Sequence, residues 1–227
     1  MTTLAIMQPT YLPWLGYFDL IRRADVFVLL DHVQFSRQSW QQRNRIRNGD
    51  GEIVLTVPVS RQSVTATSVA AAKIDHSRRP FLKHARSIAQ NYANSKNREW
   101  LMDDLIALYD TAVDSLADFN QRLIAFGCER MNIDTTMLRS SDLNITSTRV
   151  GGVLEICRAT KATTYLSTPG AERYLDETAL AQFAKSGIEF SYHRFEHPTY
   201  AQCNYPDFIS HLAFIDYLFN AETACKQ

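Results

Sequence analysis

The 227-residue sequence predicts a mainly parallel, Rossmann-like α/β sheet with a helical insertion in the middle of the chain. Three observations carry that expectation. Strand-like and helix-like segments alternate from end to end. The runs Leu4–Met7 and Val26–Leu30 are short, apolar and without alternation, as in strands buried on both faces of a parallel sheet. Between Pro80 and Met131 the apolar spacing turns helical for about fifty residues.

Taken in order, Leu4–Met7 is a strand, Leu15–Arg23 a helix with Leu15 and Phe18 at helical spacing, and Asp25–Asp31 a second strand, making a βαβ start. Val33–Asn48 reads as polar and irregular, and Gly49-Asp50-Gly51 as a turn. Glu52–Val59 is a strand that Pro58 ends or marks as an edge, and Arg61–Ala72 a loop rich in small residues. Phe81, His84, Ile88 and Tyr92 lie on one stripe, followed by Leu101, Leu105, Leu108, Leu116, Leu123 and Phe126; with a break at Asn94–Asn97, this gives two or three helices. Thr135–Arg139 is a strand, Arg149–Ala159 a helix and Thr163–Leu166 a strand. Glu172–Ser186 is helical with a break near Asp176, and Gly187 stops it. Ile188–Phe195 alternates as a sheet-edge strand, and Phe208–Phe219 closes as an apolar helix. Without a repeat or an obvious linker, residues 1–227 read as a single α/β domain, with residues 78–131 as the helical insertion.

Twenty-four basic and twenty-four acidic side chains cancel, so no global field draws the chain to nucleic acid or an acidic membrane. No apolar run reaches the roughly 20 residues of a membrane span, and the N-terminus lacks the pattern of a signal peptide. Cys128, Cys157, Cys203 and Cys225 are widely spaced with no C-x-x-C pair, which favours reduced thiols in the cytoplasm. Neither a metal nor a cofactor is expected, because no metal-ligand spacing or cofactor fingerprint occurs.

The segment Gln8-Pro9-Thr10-Tyr11-Leu12-Pro13-Trp14 follows the first strand, where open parallel sheets bind ligands. Its prolines stiffen it, and Tyr11, Trp14 and Tyr17 offer rings suited to stacking on a sugar or a base; covering the helix end is the plainer role. After the second strand, Asp31-His32-Val33-Gln34 leads into a stretch with Arg37, Arg43, Arg45 and Arg47, with Trp40 and no acid up to Asn48. In a neutral chain that is a local anion signature, since guanidinium forks match phosphate; the plainer role is a solvated basic loop. An anionic small molecule is thus the expected partner. Ser167-Thr168-Pro169-Gly170 supplies a small-residue turn after a strand, suited to an anion or to a simple cap. Glu196-His197-Pro198-Thr199-Tyr200-Ala201-Gln202 adds a histidine able to titrate near neutrality.

Together these residues resemble the WbqC-like family, nearly end to end. The resemblance rests on Gln8–Trp14 with Gly16-Tyr17-Phe18, Asp31–Phe35, Ser39-Trp40 with Arg43-Asn44, and Leu55–Val59. It continues through Thr164–Ser167, Pro169-Gly170, Tyr174-Leu175, His197-Pro198 with Tyr200 and Gln202, and Ile215-Asp216 with Leu218-Phe219-Asn220. One departure is Thr168, where the family is expected to place glycine after Ser167.

The resemblance implies a part in bacterial surface-polysaccharide (O-antigen) biosynthesis, as a transferase that modifies a nucleotide-activated amino sugar, amide formation being one form of this. On that reading Arg43 and Arg45 hold phosphate, Tyr11 and Trp14 stack, and Asp31 or His197 accepts the amine proton. Gln8, Tyr17, Gln34, Trp40, Asn44, Ser167, Tyr200 and Gln202 complete the substrate-binding candidates. Two alternatives remain open. The opening βαβ unit also resembles pantothenate synthetases, implying an ATP-dependent carboxylate-activating ligase or nucleotidylyltransferase, although their paired histidines are replaced here by Trp14 and Gly16-Tyr17. A non-catalytic small-molecule binding module is the other.

Overall fold

The computed structural model describes residues 1–60, 67–173, 176–203 and 207–222. Its strands are β1 (Thr3–Met7), β2 (Val26–Leu29), β3 (Arg43–Asn48), β4 (Gly51–Thr56), β5 (Thr136–Arg139), β6 (Thr164–Ser167) and β7 (Glu189–Tyr192). Its helices are α1 (Leu15–Arg22), α2 (Pro80–Asn91), α3 (Arg98–Tyr109), α4 (Leu116–Arg130), α5 (Arg149–Ala159), α6 (Glu177–Lys185) and α7 (Phe214–Asn220). The chain divides into two compact units: Met1–Gln8, Asp19–His32 and Ile133–Glu196 form the first, and Pro9–Phe18, Val33–Asn132 and His197–Gln227 the second.

The first unit is a Rossmann-like α/β sheet of five parallel strands in the order β5-β2-β1-β6-β7. Leu4–Ile6 of β1 and Phe27–Leu29 of β2 are buried, as expected of central parallel strands whose two faces are both covered. Leu4, Ile6 and Val28 join Leu154 and Cys157 of α5, Tyr165 of β6 and Phe183 of α6 in one core. The Tyr165 and Phe183 rings stack at 5.5 Å, so Phe183→Ala would remove a contact of the size that costs about 3–5 kcal/mol in cores. From β1 the chain adds β2 and β5 on one side, then β6 and β7 on the other. Strand order therefore reverses between β1 and β6, the position at which such sheets open a crevice beyond their carboxyl ends.

The expected helix over Glu172–Ser186 is split. A 3₁₀ turn covers Pro169–Arg173, and α6 starts afresh with Asp176 as its cap, accepting from the Ala179 N–H. Gly187 follows at φ +70, a conformation glycine reaches without steric cost.

The second unit holds the antiparallel hairpin β3–β4, paired from Arg43↔Thr56 to Asn48↔Gly51. Here the expected irregular stretch Val33–Asn48 is corrected: its last six residues are a strand. Asn44, Ile46 and Arg47 are buried in β3, but with only one apolar residue the period-2 signal is hidden by charge. Gly51 closes the turn at φ +129, where a side chain would be strained. The segment 80–130 forms three helices, with Pro80 at the start of α2 and Ser115 capping α4 by accepting from the Asp118 N–H. The closing helix is shorter than expected, Phe214–Asn220 in place of Phe208–Phe219.

Candidate functional site

In the first unit, β1 ends at Met7, beside Leu29 of β2 and one strand away from β6. Gln8 follows directly and is exposed, while Ser167 ends β6 and is buried. The Ser167 carbonyl accepts from the His193 N–H at 2.7 Å, and its hydroxyl donates weakly to the Tyr165 hydroxyl at 3.4 Å. On the other flank of β1, the Leu30 N–H donates to the Met7 carbonyl, and Asp31 and His32 come next. Thus Gln8, Ser167, Asp31 and His32 all lie at the carboxyl edge of one parallel sheet, Gln8 and Ser167 on the two strands that flank the order reversal and Asp31 and His32 after β2 on the other side of β1. Gln8, Asp31 and Ser167 are sequence-derived candidates, whereas His32 stands out in the sequence only as part of a motif.

Asp31 is the most heavily bonded carboxylate of this edge. Its Oδ2 accepts from Arg139 Nε at 2.6 Å and from the Ser141 hydroxyl at 3.0 Å. Its Oδ1 accepts from the Ser141 N–H at 2.9 Å and the Ser140 hydroxyl at 3.1 Å. Burial pushes this carboxyl up, but the Arg139 guanidinium and the Ser141 N–H and hydroxyl outweigh it and hold the group below the usual carboxylate range. A fully buried anion with four donors is a fixed charge, so the expected role of Asp31 as acceptor of the substrate's proton is corrected. Arg139, Ser140 and Ser141 had no signal beyond ending a strand.

The same edge carries His193, whose Nε2 lies 2.6 Å from Asp19 Oδ2. Asp19 also pairs with Arg23 one helical turn on. Burial raises the Asp19 carboxyl, and hydrogen bonds from His193 and Arg23 bring it below the ordinary value. The pair joins the end of β7 to α1.

In the second unit, Pro9–Trp14 and the segment from Ser36 to Arg47 meet through their backbones. The Tyr11 N–H donates to the Trp40 carbonyl at 3.0 Å. Asn44 Nδ2 donates to the carbonyls of Leu12 at 2.6 Å and Tyr11 at 3.3 Å. Asn120 Nδ2, from α4, donates to the carbonyls of Pro9 and Gln41. These bonds hold Leu12 at φ 43, a left-handed conformation that costs a non-glycine residue about 1–3 kcal/mol. Asn44 is therefore a buried loop clamp rather than a ligand contact.

Tyr11 and Tyr17 are fully buried and belong to the core, so neither offers a stacking face. The Tyr11 hydroxyl bonds His84 Nδ1 at 2.8 Å and the Tyr109 hydroxyl at 2.7 Å, and its ring stacks on Phe119. Trp14 is half-buried, its ring 4.7 Å from that of His211. Gly16 must lack a side chain because a Cβ there would lie 2.2 Å from the Trp14 indole. Gln34 is exposed, as is Trp40, which places its ring 5.9 Å from the Arg45 guanidinium.

The arginines separate by environment. Arg47 is fully buried and donates to the carbonyls of Cys203 and Asp207. Arg45 grips both oxygens of Glu52 through Nη1 and donates to the His211 carbonyl. Arg43 is half-buried and makes no ion pair among the described residues, and Arg37 is exposed.

His197, Tyr200 and Gln202 gather beside α7. Tyr200 and Gln202 both donate to Asp216 Oδ2, while Tyr92 donates to Oδ1. Burial raises the Asp216 carboxyl, partly offset by hydrogen bonds from Tyr200, Tyr92 and Gln202. His197 donates from Nδ1 to the Pro198 carbonyl and accepts the His211 N–H at Nε2. Burial lowers its affinity for a proton, as does His211. With both ring nitrogens bonded to backbone, His197 does not offer a lone pair to a substrate, which corrects its expected catalytic role.

Cys128 and Cys157 are buried, and burial pushes the Cys157 thiol up to about 11, away from nucleophilic use; Cys225 lies outside the described residues. So do Tyr174-Leu175 and residues 61–66, the first half of the loop expected over Arg61–Ala72. Among the described residues no group of three or more His, Cys, Asp or Glu side chains could hold a metal ion, and no helix is long and apolar enough to cross a membrane.

The chain is similar to the uncharacterised protein Rv1507c of Mycobacterium tuberculosis, 29% identical over 222 residues that cover 97% of this chain and 94% of the relative. No solved structure matches it significantly. With a family match that runs over residues 8–227, from the exposed glutamine after β1 to the last residue, the chain belongs to the WbqC-like protein family.

Proposed function

We propose that this protein is a transferase of bacterial surface-polysaccharide biosynthesis that forms an amide on the amine of a nucleotide-activated amino sugar. The family's link to polysaccharide biosynthesis gives the setting. The observation that carries the reading is the order reversal between β1 and β6, with Gln8 and Ser167 at the carboxyl ends of those two strands and His32 just beyond the neighbouring β2. Nucleotide-type ligands bind at such a reversal, where loop backbone and short polar side chains meet the phosphate and sugar. The amine then attacks an activated acyl donor, forming the C–N bond as the donor's leaving group departs with its electron pair.

The test is a panel of amino-sugar nucleotides screened first by thermal shift and then for mass gain with acyl donors. A ligand that binds the folded chain raises the apparent melting temperature by mass action. Binding with an N-acylated product supports the transferase. Binding with no product across the donors would make the chain a binding module, and no shift with any sugar nucleotide would remove the substrate class altogether.

A further inference from the structure

We propose that the outer face of α2 is a docking surface for an anionic lipid bilayer, with Arg79, Lys83 and Arg86 laid against the headgroup phosphates and Leu82 entering the acyl boundary. The proposal stands independently of the function proposed above.

The inference starts from how α2 divides its side chains. Phe81, His84 and Ile88 are buried, the Phe81 ring stacking on that of Phe119 at 4.2 Å and His84 bonding the Tyr11 hydroxyl. Spacings of three and four residues put Arg79, Leu82, Lys83 and Arg86 together on the opposite side, and all four are exposed, Leu82 at 43%. None of the three cations makes an ion pair or a side-chain hydrogen bond among the described residues. From His76 to Arg98 the chain carries Arg78, Arg79, Lys83, Arg86, Lys96 and Arg98 and no acid, a local excess that the zero net charge of the whole conceals. Arg78 interacts with Asp75, and Lys96 pairs with Glu222, so the uncompensated charge is concentrated on the face of α2.

An ordinary solvent-facing helix sets acids three or four residues from its bases, with acids towards its start and bases towards its end. α2 does the reverse: it has no acid, no base in its last turn, and its cations at and soon after its start. Arg79 and Lys83 repel each other at a spacing of four, and both oppose the helix dipole. Arg79 is also held at φ 49, a left-handed conformation unfavourable to a non-glycine residue. An anionic surface relieves both electrostatic costs at once. The rest of the face selects a bilayer among anionic partners. The three cations span about 10 Å along a convex rod, which meets a plane without needing a groove. A protein partner would require a desolvated apolar centre, and the other large apolar residues of α2, Phe81 and Ile88, are buried in the core. The face has no aromatic ring on which a nucleobase could stack. Leucine among the cations gains nothing from a phosphate backbone, whereas it leaves water on entering acyl chains.

Vesicle flotation of the full chain tests the proposal. The wild type is expected to float with vesicles of phosphatidylglycerol and phosphatidylethanolamine at low salt and not with phosphatidylcholine alone. About 1 M salt, where the screening length falls to roughly 3 Å, should release it. Each cation removed should lower the partition coefficient about 5-fold, so the double variant Lys83→Gln/Arg86→Gln should lose roughly 25-fold. Leu82→Ser should lose roughly 10-fold. These side chains are exposed, so the variants should melt as the wild type does. Arg158→Gln, an exposed cation in the last turn of α5, should partition as the wild type does. No flotation with the anionic vesicles at low salt would overturn the proposal, as would equal partitioning of the double variant or an equal loss in Arg158→Gln. Binding of duplex DNA as tight as that of the vesicles, with Leu82→Ser unchanged on both, would assign the face to nucleic acid and overturn it as well.

Discussion

Arg139 Nε donates to Asp31 Oδ2 across 2.6 Å, tying the edge strand β5 to the end of β2. Asp31 is fully buried while the Arg139 side chain is 24% exposed, so deleting the arginine strands a charge that water cannot reach. Arg139→Ala is therefore expected to cost about 3–5 kcal/mol in urea unfolding at neutral pH. The folded state holds the Asp31 carboxyl below its unfolded value. Its contribution is accordingly present above about pH 4 and is lost as pH falls through the folded value. The gap between wild type and Arg139→Ala should narrow in acid; an equal gap at pH 7 and pH 3 would mean that the pair contributes no charge-dependent stability.

A second pH effect has the same direction and a different source. His84 is buried with Nδ1 on the Tyr11 hydroxyl, and burial lowers its value from 6.5 to about 4. A histidine that is harder to protonate in the fold than in the open chain stabilises the fold above about pH 6.5. That stability drains away as pH falls towards 4, by about 3 kcal/mol in full. His84→Gln should flatten the loss of stability between pH 6.5 and 4 in denaturant titrations. A curve as steep as that of the wild type would assign the loss elsewhere.

Much of the fold was legible because parallel strands declare themselves by continuous apolar runs. Leu4–Met7 and Val26–Leu29 needed no partner to be recognised, and α5 appeared at the bounds read from its spacing. β3 was not legible, because its buried residues are Asn44, Ile46 and, on the opposite face, Arg47, and the burial of the polar two depends on partners distant in sequence. The same dependence hid the roles of the site residues. Tyr11 and Tyr17 have the chemistry of a stacking surface, and only the helices around them turn them into core. Asp31 looked like a base because its four donors come from a segment more than a hundred residues away, apart from the motif that contains it. Asn120 was in principle legible: a lone amide between Phe119 and Leu123 on the apolar face of α4 must have buried partners.

Those partners give a third prediction. Asn120 holds the carbonyls of Pro9 and Gln41 at 3.1 and 2.7 Å, so Asn120→Ala would leave two buried acceptors without their donor. The expected cost is about 1–3 kcal/mol for each group left unsatisfied. Because the clamp holds the Pro9–Trp14 segment, the half-buried Trp14 should also report its loss by a red shift of tryptophan emission before global unfolding. Unfolding with no earlier change in emission would show that Asn44 alone suffices to hold the segment.

The last prediction separates two arginines that the sequence treats alike. Arg45 spends its guanidinium on Glu52 and the His211 carbonyl, beside the Trp40 ring. Arg43, two residues earlier on β3, makes no ion pair among the described residues, and on the function proposed above its fork is the one that meets the anion. Arg43→Ala should therefore weaken binding of a sugar nucleotide by about 1.5–3 kcal/mol, roughly 10- to 150-fold. Arg43→Lys should recover only part, since an ammonium cannot make the planar bidentate contact. Arg45→Ala should act mainly on stability, and by no more than about 1 kcal/mol, because the Arg45 and Glu52 side chains remain 29% and 34% exposed. Calorimetry with a sugar nucleotide that binds the wild type decides the matter. Equal affinity for Arg43→Ala would mean that this face of the hairpin is a solvated basic surface, and a larger loss in Arg45→Ala would mean that ligand displaces Glu52 to reach the guanidinium.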